Sequence, residues 1–171
     1  MSVGPKSRRS DLRDQRRRRQ HGCWDHLVVA PLWVAYEANL GTLLRTCDAV
    51  GACMAAPGTD HYRQALARGD TLVRRPHIHW INGSKLSWLR DEAGRSRVLA
   101  VELAEDATPL TRLEPARERT VVLLGHEHGG VPDEVMPLVD HVVEIPMVGR
   151  GSSLNVAVAG SLVLYRLAGL M

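Results

Sequence analysis

Three stretches of the chain combine glycine with polar side chains in a way that packing alone does not require. In Asn39-Leu40-Gly41-x-x-x-Arg45, the Asn and the Arg stand on nearby turns of one expected helix. An Arg among such apolar neighbours usually snorkels or pairs with an acid, and Asp48 is a candidate partner. In Leu124-Gly125-His126-Glu127-His128-Gly129-Gly130-Val131-Pro132, an expected strand runs into a glycine loop. Parallel α/β sheets bind ligands outside the carboxyl ends of their strands, so this loop is a candidate cofactor site. Its spacing is not the dinucleotide fingerprint, and no Gly-Lys-Ser/Thr follows to make a phosphate loop. The third stretch runs from Glu144-Ile145-Pro146-Met147 through Gly149-Arg150-Gly151 to Ser153-Leu154-Asn155, again a strand, a glycine loop and a helix start. Ser153 suits the helix cap; Asn155 on the first turn has poor helix propensity and calls for another reason. Backbone amides in the two loops, freed by small residues, could bind the edge of an adenine.

Histidine pairs suggest a different chemistry. His77-x-His79 lies on an expected strand, where alternate residues share a face, and together with His126-x-His128 it could ligate zinc. No cysteine or carboxylate spacing reinforces that idea, so no metal is expected.

The elements that must position these residues alternate. Leu27–Ala30 is a short apolar run suited to a strand buried on both faces, ended by Pro31. Leu40, Leu43, Leu44, Cys47 and Val50 recur at helical spacing, with Asn39 as the expected cap and Gly51 as the stop. Strands are expected at Ala52–Ala56, His77–Ile81, Arg97–Leu103, Thr120–Gly125 and His141–Pro146, with helices at Tyr62–Arg68, Ser84–Glu92, Pro132–Leu138 and Ser153–Leu170. The alternation predicts an α/β domain: a mostly parallel sheet flanked by helices.

Length and composition fit one such domain, with 171 residues, 44% hydrophobic and 24% charged. The formal charge of +3 is unevenly placed. Residues 1–22 form a basic arm containing Lys6, Arg8, Arg9, Arg13, Arg16, Arg17, Arg18 and Arg19 against Asp11 and Asp14, while the remainder from 23 to 171 is mildly acidic. The arm has too little apolar surface to offset its ordering entropy, so disorder is expected, and its Arg residues suit phosphate backbones. No apolar run approaches the roughly 18 residues a bilayer-crossing helix needs, and no apolar stretch follows the N-terminal charges to act as a secretory signal. The expected location is therefore the cytoplasm, without membrane partners. Cys23, Cys47 and Cys53 are sparse and odd in number, which favours free, buried thiols over a disulfide framework.

Taken together and in this order, the three glycine-and-polar stretches resemble the motifs of the SpoU, or TrmH, family of knotted RNA methyltransferases, over about Leu27 to Leu170. The most specific part is Ile145-Pro146-Met147 through Ser153-Leu154-Asn155-Val156-Ala157. The resemblance implies a deep C-terminal trefoil knot (the SPOUT fold), S-adenosyl-L-methionine held in it, and methyl transfer to a ribose 2′-hydroxyl. Threading rules alone argue against proposing a knot. By position, Arg45 matches the family's catalytic arginine, Asn39 its partner, Glu127 the acidic residue of the second motif, and Ser153 and Asn155 the third. Leu124, Gly125, Glu127, Gly129, Ile145, Met147, Ser153 and Leu154 correspond to the cofactor pocket. His126 and His128 depart from the usual pattern. RNA contacts are expected from Arg45, Arg150 and the arm's Arg16, Arg17, Arg18 and Arg19. The resemblance further implies a homodimer with its active site at the subunit interface, to which Leu162, Leu164, Leu167 and Leu170 offer apolar surface. No RNA-recognition domain is expected ahead of the fold, and that expectation favours tRNA over rRNA as substrate. The alternatives are an rRNA 2′-O-methyltransferase of the resistance type, a base-nitrogen methyltransferase of the same fold, and a non-catalytic RNA-binding protein.

Overall fold

The computed structural model describes residues 24–72 and 75–171. The basic arm, with Arg16 to Arg19 and Cys23, lies outside the described residues. Seven strands form one sheet in the order β3-β2-β1-β6-β4-β7-β5, every pairing parallel. The strands are β1 (Trp24–Ala30), β2 (Ala52–Pro57), β3 (Ile78–Ile81), β4 (Arg97–Val101), β5 (Thr108–Pro109), β6 (Thr120–Leu124) and β7 (His141–Glu144). The helices are α1 (Glu37–Val50), α2 (Asp60–Gly69), α3 (Lys85–Ala93) and α4 (Val156–Leu167), with 3-10 turns at Leu110–Arg112 and Asp133–Leu138.

Strand periodicity divides the core in two. Leu27 and Val29 of β1, with Val122 and Leu124 of β6, face the layer containing Leu40, Leu43 and Leu44 of α1 and Val163 and Leu164 of α4. Val28 and Ala30, with Val121 and Leu123, face the opposite layer, where Leu89 of α3 and Val135 pack. Both faces of the central strands are therefore apolar, as a helix-covered parallel sheet requires.

β7 pairs with both β4 and β5, so it lies between two strands that follow one another in sequence. The chain joining β4 to β5 must bridge the path of β7. This arrangement is compatible with the expected knot.

The structure moves several expected boundaries. Helix α1 begins at Glu37, after an N-cap at Tyr36, so Asn39 is a buried residue inside the first turn and not the cap. Gly51 ends it as expected, in the left-handed conformation at φ 76°. β4 stops at Val101, releasing Glu102 and Leu103 from the strand. Pro132–Leu138 is a 3-10 turn beginning after Pro132. The last helix starts at Val156 rather than Ser153 and ends at Leu167. Its cap is Asn155, whose Oδ1 accepts from Ala157 N and Val158 N at 2.9 and 3.2 Å. Two expectations for surfaces and thiols also change. Leu164 and Leu167 are core residues of α4, so they cannot form the dimer surface assigned to them. Cys47 is a free buried thiol, pushed up in pKa by burial, but Cys53, equally buried, is disulfide-bonded.

Candidate active site

The carboxyl ends of β4, β6 and β7 open onto one cavity of about 430 Å³. The loop 125–130 after β6 and the segment 144–154 after β7 wall it, together with Glu102 at the end of β4. Backbone geometry explains the glycines after β6. His126 and Gly130 exchange two backbone hydrogen bonds of 2.9 Å, closing the loop on itself. A Cβ on Gly125 would sit 2.1 Å from the Gly130 carbonyl carbon, a contact no side chain tolerates. Gly130 itself has φ 65°, and a Cβ there would lie 2.3 Å from Glu102 Oε2.

Glu127 turns from this loop toward the start of α1. Its carboxylate accepts from Ala35 N at 2.9 Å, Tyr36 N at 3.0 Å and Asn39 Nδ2 at 2.8 Å. These are the open amides and first turn of a helix, where an anion is favoured. Partial burial opposes ionisation of Glu127, but the hydrogen bonds from Ala35, Tyr36 and Asn39 outweigh it and hold the carboxyl below its ordinary pKa. Tyr62 holds the same turn from behind, donating its hydroxyl toward Pro31 O and Val34 O at 2.7 and 3.0 Å.

The network continues into the third stretch. Asn39 Oδ1 accepts from Asn155 Nδ2 at 3.0 Å, and Asn155 Oδ1 caps α4. A single chain of hydrogen bonds thus runs Glu127, Asn39, Asn155, helix α4. Both amide side chains use a donor and an acceptor at once, a task that an ionised Asp, which only accepts, could not repeat.

Of the residues expected at the cofactor pocket, Leu124, Gly125, Glu127, Ile145, Met147, Ser153 and Leu154 line this cavity and Gly129 does not. Ser153 is a wall residue with no capping role, and Arg150 is exposed. Arg45 is exposed on α1, away from the cavity lining, and donates to Thr71 Oγ1 at 3.0 Å instead of pairing with Asp48. His126 and His128 belong to the cavity wall, where His128 N donates to His126 Nδ1 at 3.1 Å and His128 Nε2 meets the Tyr36 hydroxyl at 3.1 Å. They are not grouped with His77 and His79, which lie at β3.

Sequence reasoning missed Glu102, Ser152, Val156 and Ala159 in the cavity wall and Tyr62 behind it. Glu102 carried a signal: a carboxylate at the apolar end of a strand, at the edge where ligands bind. The structure shows it accepting from Leu103 N and Val131 N, both at 3.1 Å, which ties the end of β4 to the loop after β6.

Comparison with known proteins agrees with this geometry. A family model described as the SpoU rRNA Methylase family matches residues 26–165. A tRNA (guanosine(18)-2'-O)-methyltransferase of Thermus thermophilus is 31% identical over 167 residues, covering 93% of this chain and 80% of the relative. Its namesake from Escherichia coli is 31% identical over 143 residues, covering 81% of this chain but 61% of the relative, so this chain spans less than two thirds of that protein. Among solved structures, an AdoMet-bound rRNA methyltransferase from Sinorhizobium meliloti superposes with a TM-score of 0.69 at 28% identity, covering 83% of this chain and 55% of that one. With the family match spanning all but the first two residues of its sheet and both glycine loops, the chain belongs to the SpoU rRNA methylase family.

Proposed function

We propose that the chain transfers a methyl group from S-adenosyl-L-methionine to a ribose 2′-hydroxyl of RNA, with tRNA as the substrate and the cytoplasm as its location. The observation that carries this reading is the meeting of two distant glycine stretches on one cavity, to which Asn39 of the third stretch is tied by its hydrogen bonds to Glu127 and Asn155. The cavity suits the cofactor in charge and shape. Glu102, Glu127 and Glu144 line it with no Lys or Arg among the described lining residues, and a ligand bearing sulfonium and ammonium cations matches that sign. Leu124, Ile145, Met147, Leu154 and Val156 add apolar surface for an adenine, and the volume falls in the usual range for small-molecule sites.

The cofactor supplies a methyl group already activated on sulfur. The chain's share is to orient the hydroxyl and assist loss of its proton. Arg45, whose guanidinium is a fork of N–H donors with no acceptor, holds an RNA phosphate bidentately beside that hydroxyl rather than acting as the base. Arg45 bonds Thr71 and is not among the residues lining the cavity, which supports assembly of the reaction site between two copies. The face for that contact is the exposed side of α4, where Val158 and Tyr165 lie at helical spacing with half-buried Leu162 between them and Val158 is 47% exposed. Arg16 to Arg19 and Arg150 supply further phosphate contacts.

The tRNA assignment follows the two relatives named above for tRNA, which match 81% and 93% of this chain. The test is transfer of a labelled methyl group from the cofactor to total tRNA and to ribosomal RNA, followed by nucleoside analysis. A 2′-O-methylnucleoside in tRNA is the expected product; label in a base, or in rRNA alone, overturns the assignment. Full turnover by Arg45→Lys would overturn the bidentate phosphate role.

A further inference from the structure

At the amino end of β2 and the edge strand β3, three ligand-type side chains meet far from the cavity. Cys53 is the second residue of β2, His79 pairs in register with Ala55, and His77 precedes β3 by one residue. Strand alternation puts Cys53, Ala55, His77 and His79 on one face of the sheet, the face that carries α3. The Cys53 sulfur and one nitrogen from each imidazole lie within 4.8 Å of one another. The two rings are 4.2 Å apart between centroids and tilted by 53°, so they converge. Burial is graded across the cluster: Cys53 is 1% exposed, Nε2 of His79 is sheltered from solvent, and His77 is open to it.

We propose that Cys53, His77 and His79 form a zinc site when the Cys53 disulfide is reduced. One thiolate and two imidazoles are a donor set of borderline softness, which zinc accepts in tetrahedral geometry. Ligand atoms of such a tetrahedron stand about 3.5 Å apart, so side-chain rotation within the observed cluster suffices to close it. A dithiol reductant supplies the two electrons: the S–S bond breaks, the dithiol closes to its own disulfide, and its two protons pass to the freed sulfurs. Zinc binding then displaces the Cys53 thiol proton to buffer. Disulfide and metal are thus alternative states of the Cys53 sulfur, one for oxidising and one for reducing conditions. Because this corner lies at the amino ends of the strands, opposite the cavity, the metal fastens the four-residue edge strand β3 without touching the reaction site.

The test uses the full chain purified without a polyhistidine tag. It is reduced with a dithiol, freed of it under nitrogen, and titrated with zinc alone or with cobalt(II) as a spectroscopic probe. The expected result is about one zinc per reduced chain, a thiolate-to-cobalt absorption band, and a higher Tm with zinc. The oxidised chain should take up none. Cys53→Ser should abolish the thiolate band, and His79→Asn should weaken zinc binding at least about tenfold. His77→Asn, at an exposed position, should weaken it as well and guards against loss of fold in the other two. Equal zinc uptake by the oxidised and reduced chains, or by the reduced chain and His77→Asn, would overturn the site. So would cobalt binding without a thiolate band.

Discussion

At Glu127 one carboxylate joins two parts of the chain about ninety positions apart in sequence, and its charge does the joining. Its folded pKa lies below the ordinary 4.5, so the stabilisation it brings is present above that value and lost as pH falls through the folded pKa. Glu127→Gln should cost about 1 kcal/mol at neutral pH, because an amide turns an N–H toward donors that need an acceptor. In urea titrations from pH 7 downward, the gap between the two proteins should narrow below pH 4.5; a constant gap would mean the charge is not what holds the turn. Methyl transfer by the variant should fall at least about tenfold, since the loop that carries Glu127 also walls the cavity. The two histidines flanking Glu127, unusual for the family, contact each other and Tyr36.

Helix α4 shows how an element is anchored by a residue that also serves the site. Asn155→Ala removes both the cap and the bond to Asn39, and should cost about 1–2 kcal/mol. Asn155→Asp separates the two roles. It retains the cap, so stability should stay within about 0.5 kcal/mol, but it sets an acceptor against Oδ1 of Asn39. Flipping the Asn39 amide would only pass the conflict to Glu127. Methyl transfer should therefore drop in the Asp variant while its melting temperature is nearly kept, and equal loss of both would reduce Asn155 to a cap. The loop after β6 allows no such separation. Gly125→Ala drives a Cβ into the Gly130 backbone and should lower both cofactor affinity, by calorimetry, and Tm.

For the whole molecule, charge and apolar surface are segregated. The basic arm is set against a mildly acidic body whose described cavity is lined by carboxylates. Deleting residues 1–20 should weaken RNA binding and flatten its salt dependence by about 0.7–0.9 in slope for each phosphate the arm neutralises, with cofactor affinity unchanged. Unchanged RNA affinity would leave the arm without a binding role. Replacing Val158 and Tyr165 with Glu should convert a dimer to a monomer in sedimentation and abolish transfer together with it, because the exposed stripe of α4 would then carry charge.

The alternation of elements, the two-faced apolar strands and the three chemical stretches were legible in the chain itself, because each is a local pattern of period, turn chemistry or spacing. Local pattern also misled where a distant partner decided the outcome. Asn39 reads as a cap from its neighbours, yet Glu127 and Asn155 hold it inside the helix; Ser153 reads as a cap, yet Asn155 takes that place. Leu164 and Leu167 read as surface until α4 folds back onto α1. The same holds for Cys53, 24 positions from His77, which no spacing rule connects and which only the pairing of β2 with β3 brings to two imidazoles. A sequence records which side chains lie near one another along a strand or helix; which strands become neighbours is set by burying both faces of the sheet at once, and the site is built from that choice.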